Sequence, residues 1–299
     1  MMEILPQLLV FALISASIYA LIAAGLTLTF GTLEFINFAH GEMAMAGAYL
    51  FFTFYVLMGF SIPVSLAFTA ICCTIIGLII EKTTFRPVRD KQPFIPLVLS
   101  IGVTIIFQSV ATILYGGGSQ TYYNASEVST SYKLLNGSVV ITKAQVLIIL
   151  VSATLFLATH LFLKHSRTGK AIRAVSDHKE IAAIMGINVN KTIATVFALG
   201  TMLAGVGGVL IAFDQNLFPL MGMMLSIKAF AVVVIAGVGH FHGVLLGALI
   251  IGLSETLIIG LTPISASYKD LIVFVIFIII LLFKPYGLFG GKKEEAESR

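Results

Sequence analysis

Residues 164–191 read KHSRTGKAIRAVSDHKEIAAIMGINVNK, the one long segment that water could hold in a chain otherwise built of hydrocarbon. Local chemistry predicts two short helices in it. Thr168 stands where it can cap a helix over 169–175, and Asp177 where it can cap a second, with Glu180 three residues on completing a reciprocal box. Gly186 suits the left-handed residue that stops such a helix. At helical spacing Lys170, Arg173, Asp177 and Glu180 share one face, while Ile172, Val175, Ala182 and Ala183 share the other. Such a pair would lie across the end of a membrane bundle and present one face to a partner. The alternative, an ordinary basic cytoplasmic loop, leaves two caps and a glycine stop without a purpose.

The surrounding chain supports a bundle. Its 299 residues are 58% hydrophobic and 11% charged, with a mean hydropathy of +1.03, which excludes a soluble domain. That length suits about eight spans of roughly 20 residues and leaves no room for a soluble catalytic domain. The fold class expected is therefore all-α and polytopic, one transmembrane domain over 1–299. Of the 18 Lys and Arg residues, four lie in 82–91, six in 164–191 and four in 284–299. The positive-inside rule makes these three stretches cytoplasmic, so the basic balance reports topology and not a nucleic-acid partner. Cys72 and Cys73 are adjacent in an apolar run and are expected to be packing residues. The N-terminus, with Glu3 and no early cation, reads as a retained first span.

Apolar segments predict spans near 5–31, 61–80, 94–115, 144–163, 192–213 and 268–283, with interrupted regions at 35–60 and 227–260. The segment 116–143 carries Tyr115 at its edge, Tyr122, Tyr123 and Tyr132, and only two cations, so it belongs outside; Asn124 and Asn136 there fit the glycosylation pattern. Parity requires 227–260 to enter and leave on the outer side. Gly237, Gly239 and Gly243 divide it into two pieces read as too short to span, meeting at membrane depth. Asn37 to Glu42 before Gly47-Ala48, and His242-Gly243 before Gly247-Ala248, suggest a duplicated helix, break, helix unit. Whether 35–60 crosses or re-enters, and on which side the chain starts, stays open.

Ionisable groups in apolar surroundings are costly and are therefore candidates for function: Glu34, His40, Glu42, Lys228, His240, His242 and Glu255. Asn37, His40, Gly41, Glu42, His242 and Gly243 are the candidate lining of a translocation path. Hydrogen bonding of the broken backbone, or pairing with a second subunit, is the other use open to His40 and Glu42. His240 and His242 lack further ligands for a metal. No nucleotide-binding glycine loop occurs, since Gly290-Gly291-Lys292 lacks its upstream glycine, and no hydrolase elbow or zinc-protease helix is present. Gly200, Ala204, Gly207, Gly208 and Ala212 form a small-residue face, as do Gly243, Gly247, Ala248 and Gly252, and both read as packing within the chain.

The runs GLTLTFGTLEFINFAHGEMAMAGAYL (25–50), SRTGKAIRAVSDHKEIAAIMGINV (166–189), AGVGGVL (204–210) and GHFHGVLLGALIIGLSE (239–255) resemble the membrane permease of ABC importers for branched-chain amino acids, the LivH-type subunit in particular. Sister permeases for urea and short amides share these motifs. The resemblance implies a multi-pass protein of the bacterial inner membrane with no cofactor of its own. Two cytoplasmic ATPase subunits would use the ATP, a related second permease would complete the pore, and an external binding protein would deliver substrate. Glu180, Ala182, Ala183 and Gly186 resemble the E-A-A-x-x-x-G signature of importer coupling helices, with Ile181 inserted and only two residues before the glycine. Arg173 and Asp177 join them as candidate ATPase contacts. An autonomous channel or secondary transporter is the alternative, and it would need no docking loop.

Overall fold

A computed structural model describes residues 4–33, 35–122, 130–134, 139–262, 265, 268–284 and 287–290. Glu34, Tyr123, Asn124, Asn136 and most of the tail lie outside these. Eleven α-helices are described: α1 (Leu5–Leu33), α2 (His40–Phe52), α3 (Ile62–Ile80), α4 (Phe94–Tyr115), α5 (Lys143–His165), α6 (Arg167–Asp177), α7 (Lys179–Ile184), α8 (Val189–Asp214), α9 (Met221–Ala236), α10 (Gly243–Leu261) and α11 (Lys269–Phe283). A small antiparallel hairpin, β1 (Ser131–Leu134) and β2 (Val139–Thr142), precedes α5. Six helices are long and apolar enough to cross a membrane, namely α1, α3 with the turn that follows it, α4, α5, α8 and α10. α2, α9 and α11 are shorter.

Two helices form the centre. Over their most apolar stretch α8 and α1 bury 78% and 67%, against 22% for α3 and α4, whose side chains instead face outward as they would toward lipid. Glycines let α8 take that place. A side chain at Gly200 would meet the Gly25 carbonyl of α1, one at Gly205 the Cys73 side chain of α3, and one at Gly208 the Ala44 carbonyl of α2. With no hydrophobic force between helices in lipid, such backbone approach is what dispersion and packing require. The small residues of 200–212 thus serve contacts within the chain, though with three neighbours and not along one face. Cys73 is buried and unpaired, a packing residue as expected.

Side-chain contacts orient the bundle. Arg89 donates to the Asn190 side chain, bringing 82–91 and 164–191 to one end. Leu288 N and Phe289 N donate to the carbonyls of Ile235 (2.8 Å) and Ala236 (3.1 Å), so the beginning of the tail meets the end of α9. At the other end Gln7 brackets Val140, donating to its carbonyl at 3.0 Å and accepting from its amide at 2.7 Å. α1 therefore starts on the side of the outer hairpin. Thr142 caps α5 in a reciprocal box with Gln145, and Tyr122 is buried, its hydroxyl donating to the Ala48 carbonyl at 2.9 Å.

The second interrupted region differs from the sequence reading. α10 has 19 residues and is long enough to span. Gly237 and Gly239, at φ 98° and 79°, make a turn that lies beside α6 and the end of α5, at the end of the bundle that carries 164–191 and not midway along it. The region still enters and leaves on the outer side, as a full hairpin. The His-Gly pairs of the suggested repeat both begin a helix, α2 and α10, but at different depths.

An added Cβ at Gly208 would run into the Ala44 carbonyl. Gly208→Ala should cost about 1–3 kcal/mol by overpacking and lower the Tm of the detergent-purified chain. At Gly102 nothing lies within 4 Å, and Gly102→Ala should leave the Tm unchanged or slightly higher. Equal melting of the two variants would refute the close α2–α8 approach.

Candidate functional site

The polar loop folds as two helices, with different caps from those expected. Ser166, not Thr168, accepts from the Gly169 amide at 2.8 Å. Starting the helix at Arg167 carries it through Asp177, which becomes its last residue and is unavailable as a cap. The chain breaks at His178, whose extended backbone precedes α7 and whose side chain makes no capping bond. Gly186 takes the left-handed conformation, φ 84°, that ends the unit.

Burial divides the two alanines. Ala182 packs with Val175, Leu33, Phe35, Phe85, Ile193 and Phe197 in a small core of their own. Ala183 is exposed and shares its side of α7 with solvent, because successive helical residues are turned by about 100° and only one of the pair can face the body. Glu180 is exposed, and so are Ile181 (57%), Ile184 (84%) and Met185 (77%). Arg173 bends back to the Leu163 carbonyl at the end of α5.

The first interrupted region places its candidates together. α2 begins beside the middle of α1: His40 is fully buried, with Nε2 3.1 Å from the Ile22 carbonyl. That nitrogen therefore donates and carries the proton. Ile22 stands eleven residues, roughly 16 Å, from the end of α1 at Leu33, so the break at 35–39 enters the bilayer and α2 climbs outward from mid-depth. Backbone there needs partners that lipid cannot supply. Asn37 Oδ1 accepts from the Ala39 amide (3.1 Å), and Ser100 Oγ of α4 accepts from the Phe38 amide (3.2 Å). Ser226 of α9 serves two groups at once, accepting from the Gly41 amide (2.7 Å) and donating to the Phe38 carbonyl (2.6 Å). Gly41 lies against the Gly222 carbonyl, where a side chain would not fit.

Glu42 is fully buried, and Gln108 of α4 donates to its Oε1 at 2.8 Å. Its Oε2 and the Nδ1 of His40 have no hydrogen-bond partner among the described residues. The Glu42 carboxylate fills the space that a side chain on Gly222 would take. Asn37, His40, Gly41 and Glu42 are thus assembled around one break. His242 and Gly243 are not with them, since they sit at the cytoplasmic end of α10. The break before Gly243 is therefore at the end of the bundle and not at membrane depth, because α10 is long enough to span.

A second buried polar cluster lies toward the outer end. Lys228 donates to Glu255 Oε1 (3.0 Å) and pairs with Asp270 (2.8 Å), Lys269 pairs with Glu255 (3.1 Å), and Tyr19 donates to Glu255 Oε2 (2.8 Å). Lys228 and Glu255 were separate candidates in the sequence, and Tyr19, Lys269 and Asp270 were not candidates. Ser100, Gln108 and Ser226 were missed too. A polar side chain in the middle of an apolar helix was their available signal.

Residues 8–281 match the family described as branched-chain amino acid transport system, permease component. The chain is 34% identical over 291 residues, 93% of each chain, to the high-affinity branched-chain amino acid transport system permease protein LivH of Salmonella typhimurium. It is 35% identical to BraD of Pseudomonas aeruginosa, a permease protein of the same description, over 97% of each. A probable LivH of Methanocaldococcus jannaschii is 31% identical over 93% of this chain and 90% of its own. Among solved structures, PsaBC from Streptococcus pneumoniae is similar in fold, with a TM-score of 0.51 and 12% identity over 95% of this chain and 94% of that one.

Ser226→Ala should leave the Gly41 amide and the Phe38 carbonyl unpaired, at about 1–3 kcal/mol each, and lower both the Tm and transport. Lys228→Met should lower the Tm, by less than the about 3–5 kcal/mol of a wholly stranded buried charge, because Lys269 and Tyr19 still reach Glu255. Combined with Glu255→Gln it should cost less than the two singles added, and strict additivity in the thermal-melting cycle would show that the pair is not coupled.

Proposed function

The chain belongs to the family of branched-chain amino acid transport permease components, and on that premise we propose that it is the permease subunit of an ATP-driven importer. Its substrates would be leucine, isoleucine and valine, as the descriptions of its relatives support. The observation that carries the ATP-driven reading is the surface of α7. Ile181, Ala183, Ile184 and Met185 are exposed on a helix anchored through Ala182, where an apolar contact with a soluble partner would be buried and the bilayer would not be. Two cytoplasmic ATPase subunits are the proposed partners, supplying the ATP hydrolysis for which this chain has no motif. A related permease and an external binding protein complete the assembly, in the cytoplasmic membrane of a bacterium.

The mechanism follows from what α6 and α7 rest on. Val175 and Ala182 share a core with Leu33 and Phe35, the residues that lead into the break. Phe85 stacks at 5.4 Å from both Phe35 and Phe197, tying that core to α8. Movement of α7 by an ATPase would therefore reach the segment 35–39 through packed side chains. α2 ends its hydrogen-bonded path at mid-depth and can shift relative to α1 by exchanging a few side-chain bonds, which makes Asn37, His40, Gly41 and Glu42 the proposed moving edge of the path. No group in this chain performs bond chemistry in the scheme. Its side chains bind, seal and transmit.

Ile184 touches little within the chain, so Ile184→Glu should leave folding intact while putting an unpaired charge into the docking contact. ATPase subunits co-purifying with this variant, and uptake of labelled leucine, should both fall at least about ten-fold, a loss of about 1.4 kcal/mol or more. Lys170→Gln, on the neighbouring exposed face, should change neither. Retention of both by Ile184→Glu would favour an autonomous transporter, and uptake of labelled urea without leucine would move the substrate to the sister permeases.

A further inference from the structure

The largest described cavity with both apolar and basic walls takes no part in that scheme. About 390 Å³ in volume, it opens at the cytoplasmic end between α1, α5, α6 and the turn at 237–242. Lys164, Arg173, His160, His240 and His242 line it, and among the described residues no carboxylate does. Neither Lys164 nor Arg173 enters an ion pair among the described residues. His160 and His242 approach edge to face with ring centroids 4.6 Å apart. Other cations are paired closely, Lys228 with Glu255 and Asp270, and Arg86 with Glu81. The like charges of Lys164 and Arg173 repel, and an anion placed between them relieves that repulsion.

The lining is also partly apolar. Leu28, Leu163, Ile172 and Phe241 belong to it, and Phe241 is fixed by stacking on Phe156 at 4.7 Å. Cations and apolar side chains lining one cavity, at the end of the bundle that carries 164–191, match a charged headgroup with a hydrocarbon body. The pieces it would bridge are the end of α5, the first docking helix α6 and the α9–α10 turn, where His240 Nδ1 lies 3.1 Å from the Val238 carbonyl and His242 packs on His160. We propose that this cavity binds a phosphate-bearing anion, supplied either by an anionic phospholipid headgroup or by a free phosphate compound of the cytoplasm. Bound there, the anion holds α6 against the bundle and so sets how firmly the docking loop is mounted. The proposal stands apart from the transport reading, because it concerns binding at this cavity whatever the chain carries.

The test uses the full chain, with any subunits that accompany it, in lipid nanodiscs, and reads its Tm. In phosphatidylcholine discs inorganic phosphate is titrated against sodium chloride of equal ionic strength; in a second arm, without phosphate, phosphatidylglycerol is added to the discs. Wild type should be stabilised in at least one arm. A response to inorganic phosphate identifies a free anion as the source, and a response to phosphatidylglycerol alone identifies the headgroup. Lys164→Gln combined with His240→Gln should raise the midpoint of the response at least about ten-fold, while Lys164→Arg, which keeps the charge, should retain it. Stabilisation in neither arm, or an equal response from the double variant, overturns the proposal.

Discussion

Unpaired backbone cannot remain in the bilayer, and residues 35–39 place unpaired backbone there. Their amides and carbonyls are met by Asn37 from within the segment, by Ser100 from α4 and by Ser226 from α9. Three helices far apart in sequence must therefore stand at fixed heights around one break. Gly41 and Gly222 allow α2 and α9 the approach that the Ser226 bonds need. Removing one hydroxyl strands two backbone groups, which is why so small a side chain is expected to matter so much.

The helices that hold these heights are themselves held by α8. Its glycines bring the backbones of α1 and α2 into contact, and its Phe197 closes the small core beneath the docking loop. One helix thus joins the break to the surface from which a partner would drive it. Toward the outer end, Lys228 and Glu255 with Tyr19, Lys269 and Asp270 tie α9, α10, α11 and α1 together. Charges in lipid are tolerated only when each finds its opposite. That cluster is paired whereas the cytoplasmic basic cavity is not, and this contrast separates an internal brace from a site with room for a ligand.

Much of this was legible before any coordinates. Hydrocarbon runs of span length, three clusters of cations and a polar loop with helix-stop chemistry determine an all-α bundle, its inside face and an element exposed for contact, because each depends on local composition and on the solvent. The position of Gly186 and the assembly of Asn37 to Glu42 around a break follow from the same local rules. What those rules could not decide were matters of register and reach. Ser166 took the cap from Thr168 and consumed Asp177. Ala182 and Ala183 parted to buried and exposed sides of α7, and α10 proved long enough to carry His242 and Gly243 to the end of the bundle beside 164–191. Only the tertiary structure paired Lys228 with Glu255 and Ser226 with Phe38, at separations of 27 and 188 residues. A hydrogen bond or ion pair depends on atoms brought within about 3 Å, and sequence spacing fixes such distances only along one helix, not between helices whose heights are set by glycine contacts elsewhere.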